Sequence, residues 1–200
     1  MNRLTLIGTA LVIGLVIALA GRFYFGLGVA PEQQTVMPKP VIGGPFTLTD
    51  HNGKQVTEAD FKGKLMLVFF GYTFCPDVCP TTLSTVNDAL DTLGDEAKDV
   101  VPVFVSVDPA RDTPEAMMDY ITHFHPNTVG LTGTPEQVTA AAKAYRVYFA
   151  KVTEKDAEPG EYLMDHSAIT YLMGRDGEFK VHFGHGIEPD VMAKRIKEFL

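Results

Sequence analysis

Cysteine is scarce in this chain of 200 residues, with only two copies, Cys75 and Cys79. That excludes a disulfide framework and a four-cysteine zinc site, so any thiol chemistry falls to the one pair. Positive charge is also in short supply, with 17 Lys and Arg against 25 Asp and Glu. A nucleic-acid binder would need the basic patch that is missing here. No internal repeat and no low-complexity segment runs through the sequence. What is present is 46% hydrophobic and 21% charged, too apolar for a disordered chain and too charged for a polytopic membrane protein.

One long apolar run stands out. Residues 4–21 carry no charge, with Arg3 before them and Arg22 after. A membrane helix needs about 20 apolar residues to cross a hydrocarbon core of about 30 Å. Phe23, Tyr24 and Phe25 supply an interfacial belt, and the leading positive charge puts the amino terminus on the cytoplasmic side. Ala18-Leu19-Ala20 offers the competing reading of a cleaved signal, but the run exceeds the usual signal core, so a retained anchor is expected. No Arg-rich, Ser-rich transit sequence precedes it, which points to a bacterial inner membrane with the body in the periplasm. Setting Arg3 and Arg22 aside leaves 15 basic against 25 acidic residues, a net −10 for the exported part. The expected organisation is an anchor at 1–28, a Pro- and Gly-rich linker at 29–44 and one folded domain at 45–200.

Within that domain, Asn52-Gly53 predicts a hairpin between 46–49 and 55–57. Residues 64–70 and 100–107 are apolar runs suited to strands buried on both faces. Pro80 opens a helix whose Leu83, Val86, Leu90 and Leu93 recur at three and four. Further helices are expected at 113–124, 134–145 and 188–200, and strands at 146–151, 168–173 and 178–183, the last two joined through Asp176-Gly177. The order implies an α/β fold with a central mixed sheet and helices on both faces.

Cys75-Pro76-Asp77-Val78-Cys79-Pro80 lies between a buried strand and a helix. The carboxyl edge of such a sheet is where ligands bind, and a helix amino terminus lowers the pKa of a nearby thiol. The thiolate is both nucleophile and metal ligand. The CxxxC spacing has one residue more than the redox CxxC, so the sulfurs can converge on a third atom. A redox or stabilising disulfide remains open at this separation. Two thiolates leave zinc unsatisfied, whereas with an imidazole they suit copper(I).

Six histidines are available. His51 reads as a solvated turn residue, His123 and His125 as caps at a helix end, and His182 and His185 as surface side chains. His166 stands just before an apolar strand. Asp77 lies between the cysteines, Asp165 is a candidate to orient the neighbouring imidazole, and Asp108 with Arg111 reads as a loop-fixing ion pair. Met164 is a candidate soft ligand and Met173 a core residue.

The strand followed by CPDVCP, the preceding hairpin, the run from Val107 through Asp108-Pro109-Ala110-Arg111-Asp112-Thr113 to Glu115, and Asp165-His166-Ser167 before Ile169 together resemble the Sco/SenC family. The resemblance spans most of residues 43–200. It implies a thioredoxin-like fold with an added N-terminal β-hairpin that binds copper, as copper(I) or copper(II), with Cys75, Cys79 and His166 as metal ligands. It also implies a role in delivering copper to the binuclear site in cytochrome c oxidase subunit II, fed by a copper donor. A chaperone of this kind turns nothing over. The alternative is a thiol-disulfide reductase using Cys75 and Cys79 as a redox-active pair to keep the acceptor's cysteines reduced. A third reading is a peroxidase or a redox–copper sensor, and a peroxidase would need Arg111 beside the thiolate.

Overall fold

The structure, a computed structural model, describes residues 2–24, 41–153 and 161–200. It divides into two compact units, Met1–Pro40 and Val41–Leu200. In the first, helix α1 (Arg3–Tyr24) contains an 18-residue window, Ile7–Tyr24, of mean hydropathy 1.9. Its 22 residues rise about 33 Å at 1.5 Å each, enough to cross a bilayer core. Phe25 and residues 29–40 of the expected linker lie outside the described residues. The last four linker positions are described, and they dock on the body: Gly43 N donates to Ala144 O at 3.0 Å, and Arg146 Nε donates to Val41 O at 3.1 Å.

The body is built on strands β1 (Thr47–Asp50), β2 (Gln55–Thr57), β3 (Leu65–Gly71), β4 (Val100–Ser106), β5 (Val129–Thr132), β6 (Phe149–Val152), β7 (Leu163–His166), β8 (Ile169–Met173) and β9 (Phe179–Gly184). Among the described residues, seven of them form a mixed sheet in the order β2-β1-β5-β4-β3-β8-β9, and β6 and β7 pair separately. Strands β3, β4 and β5 run parallel, while β8 and β9 are antiparallel. The expected N-terminal hairpin, β1 with β2, joins the sheet edge beside β5.

Every residue of β3 is buried. Strand alternation sends Leu65 and Leu67 into one cluster, under helices α2 (Val78–Leu93) and α5 (Pro189–Lys197), with Val86, Leu90 and Ile196. Met66, Val68 and Phe70 enter the other, with Met117 and Ile121 of α3 (Pro114–Ile121) and Val138 and Ala141 of α4 (Pro135–Ala144). The helices therefore flank the sheet on both faces, as the sequence pattern implied.

Several boundaries differ from expectation. Helix α2 begins at Val78, with Asp77 as its N-cap, so Pro80 is its third residue. The first amides of a helix have no intrahelical acceptor, so the missing N–H of Pro80 costs nothing there. Cys79 consequently lies inside the first turn. The strand expected at 146–151 begins only at Phe149. Arg146 has φ +57°, Arg146 N bonds Lys143 O at 3.1 Å, and Val147 N bonds Ala142 O at 2.8 Å. That left-handed stop closes α4 before a strand can start. Strands β5 and β7 were not foreseen. In β5, Gly130 interrupts the apolar pattern because a Cβ there would press on Met117 and Ile121 at 3.1 Å.

Candidate metal centre

Strand β3 delivers the cysteine loop to the carboxyl edge of the sheet. Strand β8 runs antiparallel beside it, with Phe69 opposite Thr170. The residues leading into β8 therefore arrive at the edge where β3 ends. This topology brings His166 to cysteines about ninety positions earlier. The His166 Nε2 atom lies 3.4 Å from Cys79 Sγ, and the ligand atoms of Cys75, Cys79 and His166 all fall within 4.8 Å of one another. No disulfide joins the two cysteines.

The donors are held differently. Cys79 is fully buried on the first turn of α2, whereas Cys75 is half-buried in the loop. Gly71, the last residue of β3, makes room for the buried sulfur. A Cβ at Gly71 would stand 2.6 Å from Cys79 Sγ and 2.7 Å from Phe104 Cε2. The imidazole is wedged edge-on against Phe69 at 6.0 Å and Tyr72 at 5.9 Å between ring centroids. Its Nδ1 faces the Ser167 carbonyl at 3.3 Å. A carbonyl only accepts, so Nδ1 donates to it and Nε2 is the ring nitrogen left to face the sulfurs.

Beneath the loop lies a buried carboxylate. Asp112 accepts hydrogen bonds from Thr73 Oγ1 and Ser106 Oγ, both at 2.6 Å, and from Thr73 N at 3.2 Å. Burial raises its pKa, and the three donors offset part of that rise. Asp112 thus anchors the residue two positions before Cys75.

The two thiols share their titration. A hydrogen bond from Cys79 lowers Cys75 to about 4, helped by His166 and by the Asp77 and Cys79 amides, against a burial penalty. The Cys79 N–H reaches Cys75 Sγ at 3.3 Å. Cys79 is pushed upward by its hydrogen bond to Cys75 and by burial. The metal-free pair is therefore a thiolate at Cys75 and a thiol at Cys79.

A pocket of about 430 Å³ opens over this group, lined among others by Tyr72, Cys75, Asp77, Met164 and His166. Two sulfurs and one imidazole form a soft, three-donor set, and the group found among the described residues holds no fourth Cys, His or carboxylate. Structural zinc would be left short of ligands; a soft ion satisfied by few ligands fits.

The remaining candidates fall elsewhere. Asp165 is exposed on β7 and does not orient His166, because adjacent strand residues point to opposite faces; the Ser167 carbonyl takes that place. Asp77 accepts from Thr81 Oγ1 at 3.2 Å, and Asp108 pairs with Arg111. Met164 is half-buried at the pocket wall, and Met173 is wholly buried in the core. His51 is not merely solvated: its backbone N donates to Gly130 O at 2.9 Å and its Nδ1 accepts from Gly130 N at 3.2 Å. His125 lies beyond the end of α3 and accepts from Asn127 N at 3.2 Å instead of capping the helix, and exposed His185 touches Thr82 Oγ1 at 3.2 Å.

Sequence reasoning missed Gly71, Phe69, Tyr72 and the Asp112 anchor. A glycine closing a wholly apolar strand just before the cysteine loop was a readable sign of close approach. The aromatic walls carried no sign apart from their core-like composition.

The SCO1/SenC family model matches residues 34–200. The mitochondrial SCO1 homolog of Homo sapiens is 44% identical over 167 residues, covering 82% of this chain and 55% of that protein. The chain spans about half to three-fifths of the length of the first curated relatives it matches. Among solved structures, Bradyrhizobium japonicum ScoI with copper bound is 48% identical with a TM-score of 0.73, covering 80% of this chain and 99% of that one. BsSco, described as a member of the Sco family of cytochrome c oxidase assembly proteins with a disulfide switch, is 26% identical with a TM-score of 0.59, covering 83% of this chain and 97% of that one. With its thioredoxin-like mixed sheet and its matching motifs, the chain belongs to the SCO1/SenC family.

Proposed function

We propose that the chain is a membrane-anchored copper chaperone that holds one copper ion through Cys75, Cys79 and His166 and passes it to the binuclear site in cytochrome c oxidase subunit II. The observation that carries this reading is the convergence of two sulfurs and an imidazole nitrogen within 4.8 Å. Copper is cargo here, so retention must be reversible. Loading requires Cys79 to release its proton while Cys75 is already a thiolate. Cys75 lines the pocket and is half-exposed, so an acceptor thiolate can reach it before the buried Cys79 lets go. The net charge of −8 favours an acceptor with a basic docking surface. Helix α1 supports anchoring in a bacterial inner membrane with the body in the periplasm, following the positive charge at its start.

The test is an anaerobic copper(I) titration of the reduced full chain in detergent, comparing wild type with Cys75→Ala, Cys79→Ala and His166→Ala. One tightly held copper per chain, weakened in all three variants, is the expected result. A wild-type chain without stoichiometric copper would refute the reading. The second reading, a thiol-disulfide reductase, draws on the low pKa of Cys75 beside a buried partner thiol. Exchange activity that survives His166→Ala, in a chain that binds no copper, would select it.

A further inference from the structure

Strand β7 carries His166 but pairs with β6, apart from the seven-stranded sheet. The β8–β3 ladder holds the carboxyl end of β7, where His166 sits, but no ladder among the described residues ties β7 itself to β3, so its amino end is held against the cysteine loop by side chains. One side chain touches every segment concerned. Arg111, in the turn after β4, pairs through Nε with Asp108 and donates through Nη1 to the Tyr162 carbonyl at 3.0 Å. Its guanidinium carbon lies 3.7 Å from the ring centre of Tyr162, 4.7 Å from that of Phe74 and 5.6 Å from that of Tyr72. The Tyr162 hydroxyl donates back to Asp108 Oδ1 at 2.9 Å.

The identity of those rings matters. Phe74 immediately precedes Cys75, Tyr162 immediately precedes β7, and Tyr72 is the ring standing edge-on to the His166 imidazole at 5.9 Å. Arg111 is largely buried, at 21% side-chain exposure, and Asp108 more so, at 5%. A planar cation with apolar faces and a fork of donors suits this place as a lysine would not.

We propose that Arg111, held by Asp108, is a positioning residue: a clasp that fixes the distance between the cysteine loop and the strand bearing His166. The proposal deepens the copper reading by naming what sets the third ligand's reach, and it has a consequence in the metal-free protein as well. A residue that only fixed its own turn would act equally whether or not His166 were present. A clasp acts through His166.

Arg111→Met removes the cation, and Arg111→Lys keeps a charge beside Asp108, which protects the fold, while losing the planar face. In the reduced, metal-free full chain in detergent, nuclear Overhauser contacts between the His166 and Tyr72 rings should weaken in both variants, with contacts between α2 and α5 retained. Copper(I) dissociation constants, measured by chelator competition, should rise about 10-fold in each variant, the lower end for residues that orient a ligand. Neither substitution should cause a further rise in a His166→Ala background. Unchanged ring contacts, or an equal loss of affinity with and without His166, would overturn the clasp. Absence of copper binding in the wild type would refute the copper reading, and the metal-free contacts would then decide the clasp alone.

Discussion

Gly71→Ala tests the geometry of the buried sulfur directly. The new methyl carbon would stand 2.6 Å from Cys79 Sγ and 2.7 Å from Phe104 Cε2, whereas ordinary contacts between carbon atoms lie at about 3.5–4.0 Å. Each neighbour must retreat by about 1 Å. Neither can do so into solvent, since both residues are 0% exposed. Such overpacking costs about 1–3 kcal/mol, and in a chain of this size 1 kcal/mol moves Tm by roughly 2–4 °C. Thermal unfolding of the metal-free chain should therefore drop by about 2–12 °C. The same retreat carries Cys79 Sγ away from its 3.4 Å approach to His166 Nε2, so copper(I) affinity in chelator competition should fall by about 10-fold or more. Two comparisons make the reasoning refutable. Gly184→Ala, where an added Cβ meets nothing within 4 Å, should change stability by no more than about 0.5 kcal/mol. Gly71→Ala should also cost less in a Cys79→Ala background, where one of the two clashing atoms is gone. A Gly71→Ala chain with unchanged Tm and unchanged copper affinity would show that the sulfur is not confined as described.

Alkylation by iodoacetamide reads the thiol pair. Cys75 is lowered to about 4, so its reaction rate in the reduced, metal-free chain should stay on a plateau at pH 6 and decline as pH falls through about 4. Cys79→Ala removes the largest cause of that lowering, so the Cys75 rate at pH 6 should fall; an unchanged rate would refute the shared-proton account. Asp112→Ala orphans Thr73 Oγ1, Thr73 N and Ser106 Oγ and should destabilise the domain by about 3 kcal/mol in denaturant melts. Asp112→Asn, which still accepts, should lose less. Leu11→Arg places a charge within α1, at a cost of about 2.5–3.5 kcal/mol for a central position, and should shift the chain toward the soluble fraction in membrane extraction.

How much of this was legible in the sequence depends on the kind of signal. The cysteine loop was placed correctly because an apolar run at 64–70 and a helical repeat at Leu83, Val86, Leu90 and Leu93 bracket it, and those periodicities report burial directly. Strand β5 was invisible because Gly130 serves the neighbouring helix, through Met117 and Ile121, at the expense of strand propensity. Strand β7 was missed because its burial pattern is exposed and half-buried in turn, with Asp165 and His166 in place of apolar residues. Arg146 ended α4 in a left-handed conformation that glycine usually supplies, so the turn carried no glycine to betray it. The third ligand could be named only through the family pattern. Nothing local distinguishes His166 from five other histidines; the antiparallel return of β8 beside β3 does, and that is a property of topology.

The asymmetry of the two cysteines constrains either function more than their identity does. Cys79 is enclosed by Gly71, Phe104 and the first turn of α2, while Cys75 faces the pocket as the lower-pKa thiol. An incoming sulfur, whether it brings a disulfide or takes an ion, therefore meets Cys75 first in both readings. The two diverge at the next step. Disulfide exchange resolves when the buried thiol gives its proton to a base, either solvent or the His166 ring nitrogen 3.4 Å away, and attacks its neighbour four residues away, releasing the acceptor's thiolate. Ion transfer needs a ligand that holds the cargo while the Cys75 bond is exchanged. The imidazole, held at Nδ1 by the Ser167 carbonyl with Nε2 3.4 Å from the buried sulfur, can serve there as that ligand. Ion transfer therefore depends on the aromatic walls that hold the His166 ring, whereas a reductase can pass the proton to solvent instead, so loss of His166 should abolish transfer and only slow exchange.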